Sequence, residues 1–211
     1  CSLKSGKVAV SDKGVPLLWV PGTHPSVLAK MFPDKLKPDY VRPSRLDIEA
    51  QQAIIISQRP TCMFYEVGAR IFHVHDGNHY FISDGYNGPA RGDDDPRMVG
   101  CARVVDGELK QGQGFCRGSH AELNAMENCQ TDTKLYSDVR MMVTLHPCNA
   151  CAKQIVNKGI RVVYYLWEYG REEFVTEYLK RMKVEVVKYS SPFLQKWIEL
   201  NGYDPVGVNH A

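Results

Sequence analysis

The sequence predicts an α/β protein in which helices cover the faces of a mixed β-sheet. An Asp76-Gly77 turn lies between two short apolar segments, as in an antiparallel hairpin. After residue 120, helical and strand patterns alternate along the chain. A strand, a helix and another strand of the same sheet imply a parallel crossover. The sheet is therefore expected to contain both antiparallel and parallel pairs.

The predicted elements begin with a helix and a hairpin and continue, after a long loop, with helices and strands in turn. Ser44 and Asp47 have the spacing of a capping box, which predicts a helix over residues 45–59 that Pro60 ends. Gly159 is predicted to cap the end of a later helix. The other predicted strands are 69–75, 80–83, 139–145, 162–167 and 184–188, and the other predicted helices are 120–129, 148–158 and 171–182.

The length of 211 residues suits one domain with extensions. Residues 1–42 show no periodicity and are predicted as an N-terminal extension, residues 43–190 as the functional domain, and residues 191–211 as a C-terminal helix and tail. Because position 1 is Cys, we expect the chain to be processed or cut from something longer. Residues 88–119 form a long irregular stretch, and such loops are usually functional.

Composition excludes several classes of protein. The chain has 26 Lys and Arg against 24 Asp and Glu, a net charge of +2, which argues against a duplex-DNA binder. With 44% hydrophobic and 24% charged residues, it does not resemble a disordered chain, a collagen or a coiled coil. No apolar run approaches the ~18 residues of a membrane span. Seven cysteines without a secretory signal favour thiolate ligands in a reducing compartment, so we expect a cytoplasmic protein.

Two short motifs place metal-ligand residues at the starts of two predicted helices. His120-Ala121-Glu122 begins one helix and Pro147-Cys148-Asn149-Ala150-Cys151 begins the next, with one predicted strand between them. Helices that start at the same edge of a sheet would bring one imidazole and two thiolates together. Three protein ligands and an open position are typical of catalytic zinc, which lowers the pKa of bound water to ~7. We therefore predict His120, Cys148 and Cys151 as zinc ligands.

Glu122 is predicted as the catalytic residue beside that metal. Two residues from His120, its carboxylate would lie next to the bound water and move a proton from it to a substrate nitrogen. From the residues alone, Cys148 and Cys151 could instead be a redox pair or half of a structural zinc site. The absence of a thioredoxin-like context disfavours the redox alternative.

The motifs together match the H-x-E and P-C-x-x-C pattern of the zinc-dependent nucleobase deaminases. From about Arg45 to Lys188, the sequence resembles the deoxycytidylate (dCMP) deaminases of the cytidine deaminase-like superfamily. This resemblance implies a three-layer α/β/α sandwich around a mixed, roughly five-stranded sheet. The stretches that carry it are Thr61-Cys62, Val67-Gly68-Ala69, Gly85-Tyr86-Asn87-Gly88, His120-Ala121-Glu122-Leu123-Asn124-Ala125 and Pro147-Cys148-Asn149-Ala150-Cys151-Ala152-Lys153.

The resemblance implies hydrolytic deamination of dCMP to dUMP, which supplies thymidylate synthesis. In that mechanism, zinc hydroxide attacks C4 of the pyrimidine, and Glu122 protonates N3 and then the departing amine. Substrate contacts are implied for Asn87 at the sugar, Tyr169 near the base, and backbone groups around Ala121 and Cys148 at the base edge. From the residues alone, Asn87 could be a turn residue next to the turn glycines Gly85 and Gly88, and Tyr169 a core aromatic.

A second, structural zinc is also implied, because some family members carry one. Cys62, Cys101 and Cys116 are the candidate ligands, and the alternative is that they are buried free thiols. A fourth ligand is not obvious. His73, His75 and His79 could supply it, although surface positions on the hairpin are the simpler interpretation.

The sequence departs from the family at the expected phosphate site. Many relatives carry a basic residue in the segment that corresponds to Met63-Phe64-Tyr65-Glu66, which has none here. Another group must then hold the 5′-phosphate. The candidates are the loop arginines Arg91, Arg97, Arg103 and Arg117, for which solvated surface positions are the alternative.

The resemblance further implies dCTP and dTTP as allosteric effectors and a homo-oligomer, a hexamer in many relatives. Other functions stay open at this point. The substrate could be dCTP, or a base in single-stranded nucleic acid or tRNA, although an editor would need a basic groove with stacking aromatics. A non-catalytic nucleotide sensor is the third alternative, and it would have no need of Glu122.

Overall fold

The computed structural model describes residues 27, 30–33, 41–110, 116–170 and 172–203. Contacts divide the chain into two units, Cys1–Arg42 and Pro43–Ala211. The few described residues of the first unit include exposed Met31 and Phe32. None of the helices in the described ranges has the length and apolar character needed to cross a membrane.

The second unit contains the predicted elements, in the predicted order. Ser44 caps the first helix through a capping box with Asp47, as expected, and Gly159 ends a later helix in the left-handed conformation. Helix ends differ from the prediction by a few residues. The main elements are α1 (Arg45–Ile56), β1 (Gly68–His75), β2 (Asn78–Tyr86), β3 (Gly88–Pro89), α2 (Pro96–Val99), β4 (Val104–Val105), β5 (Glu108–Leu109), β6 (Gly118–Ser119), α3 (Ala121–Glu127), β7 (Val139–Leu145), α4 (Asn149–Lys158), β8 (Val162–Trp167), α5 (Glu172–Arg181), β9 (Glu185–Lys188) and α6 (Pro192–Asn201).

The central sheet has five strands in the order β2-β1-β7-β8-β9. Strand β1 pairs antiparallel with β2 and with β7, whereas β7–β8 and β8–β9 are parallel. Asp76 and Gly77 form the hairpin turn with φ values of 48° and 70°, which suit a two-residue turn of the I′ type. The predicted mixed sheet of about five strands is confirmed.

Two hydrophobic cores lie on opposite faces of this sheet, because its strands alternate their side chains between the faces. On strand β7, Met141 and Val143 belong to the same core as residues of α3, α4 and α5, whereas Met142 between them belongs to the core that includes residues of α1 and α6. Helices therefore cover both faces, and the predicted α/β/α sandwich is confirmed.

The long stretch between Gly88 and Ser119 contains short elements rather than none. Strands β3 and β6 pair with each other near the start of α3. Strands β4 and β5 form a separate hairpin whose turn residues, Asp106 and Gly107, have φ values of 55° and 79°. Residues 111–115 of this loop lie outside the described ranges.

Gly85 has a packing role that differs from the turn role expected of it. It lies within β2 and is not among the glycines with positive φ. A Cβ atom at Gly85 would lie 2.2 Å from the backbone nitrogen of Ala125 and 2.6 Å from the carbonyl oxygen of Ala121. The missing side chain therefore lets α3 lie directly against β2. This contact fixes the height of α3 over the sheet.

Candidate metal centre and active site

The metal-ligand residues lie where the two helices begin, as predicted, but two of them are caps rather than helical residues. His120 is the N-cap of α3 and Cys148 is the N-cap of α4, both with extended backbone conformation. Neither side chain caps its own helix by a hydrogen bond. Cys151 lies one turn into α4 and is buried.

These three side chains converge on one point. The Nδ1 atom of His120 lies 3.4 Å from the Sγ atom of Cys148 and 3.3 Å from the Sγ atom of Cys151. In the described part of the chain, they form the one group of three potential ligands whose atoms all lie within 4.8 Å of one another. One imidazole nitrogen and two sulfurs are a donor set that suits zinc. The residues present therefore fit the predicted metal.

The environment of the two sulfurs favours a thiolate. Hydrogen bonds from Cys151 and His120 lower the pKa of Cys148 to about 3. The pKa of Cys151 is raised, by its hydrogen bond with Cys148 and by burial. The pair therefore favours one thiolate and one thiol, and zinc binding would displace the remaining proton because thiolates are the metal ligands.

Glu122 lies beside this cluster in the first turn of α3 and is 4% exposed. Burial raises its pKa to about 7, although nearby His120 acts in the opposite direction. A carboxyl group with such a pKa can take up and release a proton at neutral pH, as a general acid–base requires.

A cleft opens onto the cluster. Asn87, Ala121 and Tyr169, the three residues predicted to contact substrate, all line it together with His120 and Glu122. The side chain of Ala121 is buried, so its backbone is the part that offers polar groups.

Asn87 also fixes the cleft wall. Its Oδ1 atom accepts a hydrogen bond of 2.8 Å from the backbone nitrogen of Val67, and its Nδ2 atom donates one of 3.0 Å to the carbonyl of Tyr65. The ring of Tyr65 meets that of Tyr169 edge-on, with 5.6 Å between centroids. Asn87 therefore holds the segment that presents Tyr65 to Tyr169.

The three outer cysteines, Cys62, Cys101 and Cys116, line a neighbouring cavity. Two of them, Cys62 and Cys116, also line the main cleft. Their sulfur atoms do not all lie within 4.8 Å of one another, and no histidine of the described ranges completes a compact ligand group with them. A second zinc at the outer cysteines stays a prediction.

Two residues that line the cleft were not identified from the sequence. His146 was not expected at the site, and Arg103 could not be distinguished from the other candidate arginines. His146 is buried at the end of β7, where its Nδ1 atom contacts the carbonyl of Pro147 and its Nε2 atom contacts the Thr176 hydroxyl, both at 3.0 Å. It braces the turn that leads into Cys148, and its position next to the Pro-Cys motif is the signal that could have marked it. Arg103 was one of four candidate arginines, and it lines the cleft.

This fold and this site together define a class of protein. An α/β/α sandwich that carries a His-Cys-Cys metal site with a buried glutamate beside it is characteristic of the zinc-dependent deaminases. Residues 48–167, more than half of the chain, match the family described as the cytidine and deoxycytidylate deaminase zinc-binding region. The chain belongs to this family, and zinc is its cofactor.

Similar proteins include named deaminases. The chain is 31% identical to ComE operon protein 2 of Bacillus subtilis over 64% of this chain and 66% of that protein. It is 28% identical to deoxycytidylate deaminase of Schizosaccharomyces pombe, over 75% of this chain and 48% of the relative. It thus spans about half to two thirds of the length of these curated relatives.

Among solved structures, the dCMP deaminase of cyanophage S-TIM5 in complex with dCMP and dUMP is similar. That structure has a TM-score of 0.51 and 26% sequence identity, and the match covers 71% of this chain and 100% of the cyanophage chain. It supports the family and the fold.

Proposed function

We propose that this protein is an enzyme that hydrolyses dCMP to dUMP and ammonia. The single observation that carries the proposal is the buried Glu122 beside the convergent His120, Cys148 and Cys151, at the base of a cleft. The similar cyanophage protein, whose structure contains dCMP and dUMP, supports this choice of substrate.

In the proposed mechanism, the protein positions the base and moves protons. His120, Cys148 and Cys151 would hold the zinc ion, which supplies an activated water when bound. Glu122 carries a proton to N3 of the pyrimidine ring and then to the departing amino group. Its raised pKa, about 7, suits both transfers near neutral pH.

Substrate orientation is assigned to the walls of the cleft. Backbone groups at Ala121 and Cys148 would hold the polar edge of the base, and Tyr169 with its partner Tyr65 would cover one side of it. Asn87 has one N–H and one acceptor lone pair beyond its two backbone hydrogen bonds, which the sugar hydroxyl could use.

We extend the proposal to regulation and assembly on the resemblance to the family. The protein would form a homo-oligomer, specifically a hexamer, and would bind dCTP and dTTP as effectors. Such regulation would suit a cytoplasmic enzyme that supplies dUMP for thymidylate synthesis. Sedimentation velocity with and without each triphosphate tests the assembly, and a change in the dCMP saturation curve tests the regulation.

Ammonia release from the zinc-loaded protein tests the activity. The substrates are dCMP, deoxycytidine, cytidine, dCTP and a cytosine-containing single-stranded oligonucleotide. We expect the highest kcat/KM for dCMP. Turnover of dCTP or of the oligonucleotide alone would contradict the assigned substrate, and zinc binding without turnover of any substrate would favour a nucleotide sensor.

A further inference from the structure

We propose that Arg103 recognises the 5′-phosphate of the nucleotide, an inference that rests on the proposed function. A nucleoside monophosphate differs from its nucleoside by a doubly charged group, so preference for the nucleotide needs a cationic partner. The planar fork of arginine suits phosphate oxygens especially well. The segment Met63-Phe64-Tyr65-Glu66, of which Tyr65 lines the cleft, contains no basic residue.

The structure separates Arg103 from the other three arginines of the long loop. Among the described residues that line the cleft, Arg103 is the one Lys or Arg. Arg91 and Arg97 are exposed and do not line it. Arg117 lies 3.8 Å from the Asp93 carboxylate and 4.0 Å from that of Asp94, so its charge is already balanced.

Arg103 is held in a way that leaves its terminal nitrogens for a ligand. Its Nε atom donates a hydrogen bond of 3.0 Å to the carbonyl of Lys110, and its own carbonyl accepts one of 2.8 Å from the Lys110 backbone nitrogen. These two contacts close the base of the β4–β5 hairpin around Arg103. In the described ranges no carboxylate forms an ion pair with its guanidinium.

This arrangement is a preorganised phosphate anchor. Because Nε is fixed to the backbone, the two Nη groups keep a defined direction, and less side-chain entropy is lost when they bind an anion. Arg103 is half-buried, which strengthens its attraction for phosphate relative to a fully solvated arginine.

The test compares nucleotide with nucleoside in two variants of the zinc-loaded protein. Arg103→Gln removes the charge, and Arg97→Gln removes an exposed charge of the same loop as the matched control. For Arg103→Gln we expect kcat/KM for dCMP to fall about 10- to 100-fold, mainly through KM. For deoxycytidine we expect a change of at most about 2-fold, and Arg97→Gln should leave both substrates within the same limit.

Activity on deoxycytidine shows that Arg103→Gln is folded, and product binding gives a readout independent of turnover. Calorimetry with dUMP and deoxyuridine should show weaker binding of dUMP alone in Arg103→Gln. Equal losses for dCMP and deoxycytidine, or unchanged dCMP kinetics and dUMP binding, would overturn the inference. Arg103-dependent dUMP binding without any deamination would overturn the proposed function and leave this inference standing, whereas wild-type protein that neither deaminates dCMP nor binds dUMP would overturn both.

Discussion

The base of the cleft and its outer wall are built in different ways. The base consists of side chains at the starts of α3 and α4, which pack on the central sheet and present a buried Glu122 and Cys151. The outer wall comes from the segment around Tyr65 and from the long loop that presents Arg103, with few residues in regular structure. The proposed catalytic and metal-binding residues thus lie on regular elements, and the proposed substrate contacts lie mainly on loops.

The two regions differ in how well a single sequence identifies their functional residues. At the base, four residues at fixed spacing are enough, because two helices that start at one sheet edge bring their first turns together. At the wall, the same residue type occurs at several loop positions, and tertiary packing decides which one reaches the ligand. The two regions should therefore respond differently to substitution.

The largest effect is expected at the metal ligands. Cys148→Ser removes a thiolate ligand, so zinc affinity should fall more than about 100-fold. Substitution of residues that only hydrogen-bond the ligands typically costs about 10- to 100-fold. Deamination should fall with the zinc affinity. Zinc content per chain after dialysis is the measurement, and Cys129→Ser, at a half-buried thiol outside the cluster, is the matched control. Full zinc occupancy in Cys148→Ser would contradict the assignment of Cys148 as a zinc ligand.

A substitution beneath the helix should affect stability strongly. Gly85→Ala puts a Cβ atom 2.2 Å from the backbone of α3, so the helix must shift. We expect the free energy of unfolding to fall by about 3 kcal/mol. Gly88→Ala is the control, because its Cβ would meet nothing closer than Thr61 Oγ1 at 3.7 Å. Equal denaturant midpoints for the two variants would contradict the close packing of α3 against Gly85.

The burial of Glu122 predicts a pH-dependent stability. Its folded pKa, about 7, exceeds the ordinary value of 4.5, so the folded state disfavours the ionised carboxylate. In zinc-free protein, Glu122→Gln should therefore stabilise little at pH 4.5 and by about 3 kcal/mol at pH 8. Thermal unfolding in chelator across this range is the measurement.

Glu127→Gln, at an exposed position at the end of the same helix, is the control for that experiment. The stability of Glu127→Gln should change with pH in the same way as that of the wild type. A Glu122→Gln advantage that does not grow with pH would contradict the burial of an ionisable group at the base.

The smallest effect is expected at the wall. Asn87→Ala leaves the Val67 nitrogen and the Tyr65 carbonyl without their partner, which should cost about 1–2 kcal/mol of stability. Chemical denaturation measures this loss. Unchanged stability combined with a loss of nucleoside turnover would instead assign Asn87 to substrate binding alone.

Much of the fold and of the base could be predicted from the sequence. Capping at Ser44 and Gly159 and the nearly continuous apolar run of β7 reflect local physics, which a sequence displays directly. The role of Gly85 was harder to predict, because a glycine near the end of a strand is usually a turn residue. Its packing role depends on a helix 36–40 residues later in the chain. Position in the chain alone does not show such a contact.

The wall could be predicted only in part. Asn87 and Tyr169 came from the family resemblance, and the structure places both at the cleft. Arg103 could not be separated from three similar arginines, because a hairpin and a backbone contact to Lys110 direct it. His146 was missed because its hydrogen bond to Thr176 joins segments 30 residues apart.

The central claim is that Glu122 and the zinc ligands at the two helix starts perform the deamination of dCMP. The most direct test measures dUMP formation by wild-type protein and Glu122→Gln at equal zinc content. We expect turnover by the wild type and a fall in kcat of about 100-fold or more in the variant, with dUMP still bound. Equal turnover by the two proteins, with zinc in both, would contradict it.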